Sequence, residues 1–270
     1  RPMTRRAPAR RLAICPTGAG WLVAVDREQR RLLWARATAP SISEEDRRPR
    51  FGGPVVHQQL PLNERWSMTP PVVAGRRILC TPQELPDITR NHDPILLCCD
   101  LESGVELWRR TKESDDLYLG GVSGEAVLVI GRSRVRALKL TDGSELWTLT
   151  LPMDAPPSGR GLISGSQYLL PLENRQLLVI GTANGQLQGQ LELPADARPL
   201  GNLIARQGEL LSVDPREIRR FRGRASLDAG IAERLVRDPP DPWALVRQAE
   251  LARMYGDRDT ALRWLRQARS

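Results

Sequence analysis

The chain has 270 residues, 40% of them hydrophobic, and a formal net charge of +8 at neutral pH. That length suits one large β domain with a small appendage, and no run is long and apolar enough to span a membrane. Of the 40 basic residues only Lys112 and Lys139 are lysines. Such an arginine excess reads as the codon bias of a GC-rich genome rather than as a phosphate-binding surface. With no recognition helix, zinc finger or aromatic-rich face beside it, the charge gives no specific nucleic-acid partner. Four cysteines (Cys15, Cys80, Cys98 and Cys99) and two histidines (His57 and His92) include no C-x-x-C pair, so no zinc site is expected. The chain opens on Arg1 rather than methionine and reads as an excised segment, so a missing signal sequence says nothing about compartment.

In chain order, residues 1–11 are basic and read as loose chain or the edge of an earlier repeat. Three strands are expected at Leu12–Cys15, Trp21–Val25 and Arg31–Ala35. Residues 37–65, with the polar run Ser43 to Arg50, read as an inserted loop. A second strand group starts at Thr69, is interrupted by Pro82–Pro94, and resumes through Trp108. A third runs from Leu117 to Leu149 and a fourth from Gly161 to Leu193. A fifth has short strands at Leu203–Ala205, Glu209–Val213 and Ile218–Phe221. Stretches such as Ala126-Val127-Leu128-Val129-Ile130-Gly131 are short, rich in β-branched residues and bounded by glycine, with no helical period.

One phrase recurs through these groups. Asp100-Leu101-Glu102-Ser103-Gly104 leads into a strand ending at Trp108, and Lys139-Leu140-Thr141-Asp142-Gly143 into one ending at Trp147. Weaker copies are Asp26 with Trp34, lacking the turn glycine, and Asn184-Gly185, with Gly189 in place of the tryptophan. Ser-Gly, Asp-Gly and Asn-Gly pairs supply the positive backbone dihedrals that a tight turn needs. A tryptophan once per repeat can fill the wedge between neighbouring sheets while its N–H seeks an acceptor. Trp108 and Trp147 are 39 residues apart, near the period of a fold that spends one four-stranded sheet per repeat. The fold expected is mainly β, a propeller with four to five blades visible.

At Ser226 the character changes. Glycine nearly vanishes and the apolar period becomes helical. Ser226 is expected to cap a helix over Leu227–Val236, stopped by Pro239-Pro240. Pro242 suits the first turn of a second helix, Trp243–Tyr255, and a third follows from Asp259 to Arg269. Leu245, Ala249, Ala252, Gly256, Ala261, Leu265 and Ala268 are placed to form the contact between the last two helices. The division expected is residues 1–224 as blades, with insertions near 37–65 and 82–94, and residues 225–270 as a helical segment.

The repeat that ends at Trp108, echoed at Trp147, resembles that of PQQ-like β-propellers, the superfamily of quinoprotein alcohol dehydrogenases and BamB-type lipoproteins. The likeness covers Leu12 to Phe221, and the helical tail resembles one tetratricopeptide repeat. The resemblance implies a larger ring than these blades complete, and a periplasmic or envelope-associated protein of bacteria with GC-rich genomes. Its leading functional implication is a non-catalytic scaffold that binds other proteins and takes no cofactor, with a place in bacterial cell-envelope assembly. The alternative is a dehydrogenase-like protein that has kept or lost its quinone site.

Quinoprotein dehydrogenases cover their cofactor with an adjacent-cysteine disulfide, which draws attention to Cys98-Cys99. Here the pair lies within a strand, where neighbouring side chains point to opposite faces, so two apolar core thiols are expected. Gly18-Ala19-Gly20 reads as a hairpin turn rather than a phosphate cradle, because no helix follows it. Asp115-Asp116 reads as a solvated loop rather than a cation site. His92-Asp93 has no reactive serine or cysteine beside it. No catalytic or metal-binding residue is assigned.

Overall fold

The computed structural model describes residues 12–17, 21–38, 70–81, 95–206, 208–237 and 241–269. Their strands form five antiparallel sheets, each a meander in which sequence neighbours pair. The first contains β1 (Leu12–Pro16), β2 (Trp21–Asp26) and β3 (Arg31–Ala37). The second is β4 (Val72–Ala74), β5 (Arg77–Cys80), β6 (Ile95–Asp100) and β7 (Glu106–Thr111). The third is β8 (Asp116–Ser123), β9 (Ala126–Gly131), β10 (Arg134–Lys139) and β11 (Glu145–Thr150). The fourth is β12 (Leu162–Ser164), β13 (Gln167–Pro171), β14 (Gln176–Gly181) and β15 (Leu187–Glu192). The fifth is β16 (Asn202–Arg206), β17 (Glu209–Val213) and β18 (Ile218–Arg222). Every strand group expected from the sequence is present, with ends shifted by up to three residues.

Short β-branched and leucine-rich strands form at the centre of the inner sheets because both their faces are covered there, so an alternating pattern is not needed. All six residues of β9 are buried. The core is divided among the spaces between sheets. Leu22, Ile78, Cys80, Leu97 and Cys99 fill the space between the first and second sheets. Leu79, Cys98, Trp108, Val127, Val129 and Leu138 fill that between the second and third. Leu128, Ile130, Tyr118, Tyr168, Leu170 and Ile180 fill that between the third and fourth. Cys98 and Cys99 thus point into different spaces, as period-2 strand geometry requires. Both are free thiols.

By packing, the chain falls into two compact units, Arg1–Pro199 and Leu200–Ser270. The first holds four sheets; the second holds the fifth sheet and three helices, α1 (Arg224–Arg237), α2 (Pro242–Met254) and α3 (Arg258–Arg269). Helix α1 starts two residues ahead of Ser226, so that serine lies inside the first turn and does not cap it. The cap that exists is Asp241, whose carboxylate accepts the Ala244 N–H at 2.7 Å, with Pro242 following in the first turn. Gly256, at φ +79°, turns the chain between α2 and α3. Leu245, Ala249 and Ala261 are buried, whereas Leu265 is exposed and Gly256 faces solvent. The third helix therefore turns a different stripe inward from the one its leucines suggest.

Candidate functional site

The residues of the repeat meet across the spaces between sheets. At the end of β6, Asp100 accepts the Glu102 and Ser103 N–H groups at 3.1 and 2.9 Å, and Gly104 donates back to the Asp100 carbonyl. Gly143 and Gly185 close the same turn onto the carbonyls of Lys139 and Gly181. All three glycines have φ between +69° and +74°. The tryptophan of the preceding sheet lies on each one. Trp34 covers Gly104 and donates its indole N–H to the Leu101 carbonyl at 3.1 Å. Trp108 covers Gly143 and donates to Leu140 at 3.0 Å; Trp147 covers Gly185 and donates to Thr182 at 3.1 Å. A Cβ on these glycines would stand 2.6, 2.8 and 2.4 Å from indole carbons. Glycine is thus needed twice, for the backbone and for the ring. Two arginines extend the lock: Arg36 donates to the Gly104 carbonyl at 3.3 Å and Arg110 to that of Gly143 at 2.8 Å.

The turn residues divide into two kinds that the sequence does not separate. Asp26 and Asp100 open their turns and accept the N–H groups two and three residues on. Asp142 and Asn184 sit one residue before the glycine and accept from Ser144 and Gln186. Ser103 holds that place in the second sheet, accepting from Val105 at 3.3 Å. In the first sheet the glycine position is Arg30, at φ 52°. Gly189 stands half-buried in the fourth sheet at the tryptophan position.

These locks align the sheet ends. At one end lie the turns after β6, β10 and β14, hydrogen-bonded to the hairpins after β4, β8 and β12: Leu101 N–H to Arg76, Leu140 to Glu125, Thr182 to Ser166. At the other end lie the β9–β10 turn and the chain entering β8, joined by the Arg132 N–H to the Asp115 carbonyl. Strand direction puts the last residues of β3 and β5 at this second end. The connections carrying residues 39–69 and 82–94 therefore join the described strands there; both expected insertions, with His57 and His92-Asp93, lie outside the described residues, as does Gly18-Ala19-Gly20.

A cleft of about 130 Å3 opens between the second and third sheets, its lining joining apolar side chains such as Leu96 and Val129 to Thr81, Arg110, Lys112, Glu113, Asp116 and Arg136. Arg136 is 7% exposed, in a position where the second sheet has Leu97. Its guanidinium pairs with Asp116 at 2.6 Å and with Glu113, which also takes Arg134. Asp115 accepts the Ser133 N–H and hydroxyl at 3.0 and 2.9 Å. The expectation of a solvated Asp115-Asp116 loop is therefore incorrect. A buried guanidinium in the next strands requires carboxylates beside it. Burial draws the Lys112 ammonium below its usual range, partly offset by Asp116. The signal sequence reasoning missed was Arg136 itself, a charged residue at an apolar strand position.

Burial pushes the Cys80 and Cys98 thiols up to about 12 and that of Cys99 up to about 11. Such thiols are neutral and unreactive at physiological pH. Among the described residues no group of three or more His, Cys, Asp or Glu is placed to hold a metal ion. Two separately buried thiols do not form the disulfide cover of a quinone site, so no cofactor pocket is built from them.

No protein-family model matches the chain, and no curated protein sequence matches it. Solved structures do. BamB from Moraxella catarrhalis is 16% identical, with a TM-score of 0.51 over 80% of this chain and 59% of that one. The β-propeller domain of Cps50 (Swd1) from Myceliophteria thermophila is 13% identical, with a TM-score of 0.53 over 80% of this chain and 64% of that one. The strand region has a β-propeller fold. Its five antiparallel sheets are followed by three short helices, and the chain spans about 60% of the length of the propellers it matches. No helix among the described residues is long and apolar enough to cross a membrane.

Proposed function

We propose that this protein is a non-catalytic propeller scaffold that holds other proteins through the sheet end bearing the connections 39–69 and 82–94. One observation carries the reading: three tryptophan–glycine locks hold the sheets in register, so long connections leave a rigid frame at one common end. Loops held by a rigid scaffold suit recognition. The helices extend the reading: α2 and α3 are joined by a tight turn and bury Ala244, Leu245, Ala249 and Ala261, which supports a tetratricopeptide-like segment. Placement in the bacterial cell envelope rests on the resemblance of the repeat to that of BamB-type proteins. The repeat residues Asp26, Trp34, Asp100, Gly104, Trp108, Asp142, Gly143, Trp147, Asn184 and Gly185 act as frame and touch no partner.

The test is photo-crosslinking in cells from single positions at the two ends. Ala37 and Ser114 mark the connection end; Ser103 and Asn184, all four being exposed, mark the turn end. Discrete adducts with the same protein from Ala37 and Ser114, and none from Ser103 and Asn184, support the scaffold. Equal or absent crosslinking at both ends overturns it. Saturable binding of PQQ with calcium, together with alcohol-dependent dye reduction, would favour the dehydrogenase alternative. Recovery of the protein from the cytosolic fraction alone would remove the envelope placement.

A further inference from the structure

In the second sheet, the face turned toward the first carries Ile78, Cys80, Leu97 and Cys99, and all four are buried. Strand register puts Cys15, Val23 and Val25 of the first sheet at the positions of Cys80, Leu97 and Cys99. The positions are equivalent and the outcome is opposite. Cys80 is 1% exposed while Cys15 is exposed, and Val23 and Val25 are half-buried. Trp21 and Leu32 share this face, at 46% and 59% exposure. An apolar face of this kind, repeated elsewhere in the molecule as an interior, is built to be covered.

The turn beside that face says what can cover it. Gly104, Gly143 and Gly185 each take an indole so close that even a methyl group would collide with it. At the corresponding place the first sheet has Arg30, in the same left-handed conformation at φ 52° and exposed. A long side chain there leaves no seat for an indole. Any sheet that docks in the established register must therefore lack the tryptophan. The fourth sheet, with Gly189 at that position, shows that this repeat tolerates such a member.

We propose that the outer face of the first sheet docks a further blade of the same polypeptide, one that carries a small residue where Trp34, Trp108 and Trp147 stand. In each of the three locks the tryptophan comes from the sheet earlier in the chain, so the covering blade takes the place of the earlier sheet in that stacking order. The inference continues an observed interface and does not depend on the scaffold reading.

Cys15 supplies the readout, because the other three thiols are buried. The natural full-length polypeptide and the 270-residue chain are pulse-labelled with a maleimide and compared by mass spectrometry. Cys15 in the 270-residue chain is labelled within the pulse; in the natural polypeptide it is labelled at least about tenfold more slowly, as for a group exposed only by local opening. Equal rates overturn the proposal. Protection of the 270-residue chain that grows with its concentration assigns the face to a second copy and overturns it as well. Photo-crosslinking from Leu32 in the natural polypeptide then identifies the covering strand. Glycine, alanine or serine opposite Arg30 is expected; a tryptophan there, or a peptide from another protein, sinks the idea.

Discussion

At the residue scale, the turn glycines separate two costs that usually come together. Gly124 and Gly143 both have positive φ, +58° and +74°, but only Gly143 lies under an indole; a Cβ at Gly124 meets nothing within 4 Å. Gly124→Ala is expected to cost about 1 kcal/mol, the left-handed strain alone. Gly143→Ala adds overpacking against Trp108, for a total of about 3 kcal/mol. Urea unfolding of the two variants measures the difference, and equal losses would mean that the indole contact contributes nothing. Trp108→Ala should cost about 3–5 kcal/mol, and Trp108→Phe less, since it keeps most of the ring packing but leaves the Leu140 carbonyl without its donor.

Acid titration reads the turn that opens with Asp100. Burial acts to raise this carboxyl, but hydrogen bonds from Ser103 and Glu102, with Arg76 nearby, hold it below its usual value. Glu106 is lowered by its hydrogen bond to Arg109, against burial, and by Arg36. A lowered folded-state value gives stability that is present above the ordinary carboxylate range and is lost as pH falls through the folded value. Thermal unfolding between about pH 5 and pH 2 should therefore show a shallower acid loss in Asp100→Asn than in the parent. Parallel curves would show that the carboxylate is not the titrating group.

At the scale of elements, the buried Arg136 is the place where two non-adjacent strands of the third sheet depend on one charge. It enters from β10 and is answered by Asp116 of β8 and by Glu113, which precedes β8. Removing one partner of such a pair strands the other, so Arg136→Met should cost about 3–5 kcal/mol in chemical denaturation. The double variant Arg136→Met with Asp116→Leu should recover much of that loss, because apolar replacement of a buried pair is often neutral. A double variant no better than the single would show that the ion pair fixes the geometry of the cleft.

The elements also show how far the sequence could be read. The first three strand groups were legible because their turns repeat a demand, a residue able to take positive φ followed by a tryptophan, and the fourth keeps the turn with Gly189 in the tryptophan's place. The separation of Cys98 from Cys99 followed from strand alternation. The start of α1 was not legible, because serine within the first turn reads like a cap. Nor was Asp115-Asp116, whose partners Ser133 and Arg136 lie 18 and 20 residues away. Local pattern cannot show a pairing made across a sheet, between strands that are not hydrogen-bonded neighbours. The meaning of Arg30 emerged only when indoles were seen over the equivalent glycines.

At the scale of the whole chain, the net charge of +8 is carried almost wholly by arginine. Many of these guanidiniums are already engaged, as with Arg36 and Arg109 on Glu106, Arg134 on Glu113, and Arg220 on Glu209. What remains is a dispersed positive field rather than a reading surface, and such a field attracts any polyanion. Retention on DNA should accordingly be strong at about 50 mM salt and collapse by about 200 mM, with the same salt slope for unrelated sequences. Electrophoretic mobility shifts across that range decide the matter. A duplex that is preferred at physiological salt would mean that a recognition surface exists on this molecule, and the arginines would then have to be read as ligands rather than as solvated surface.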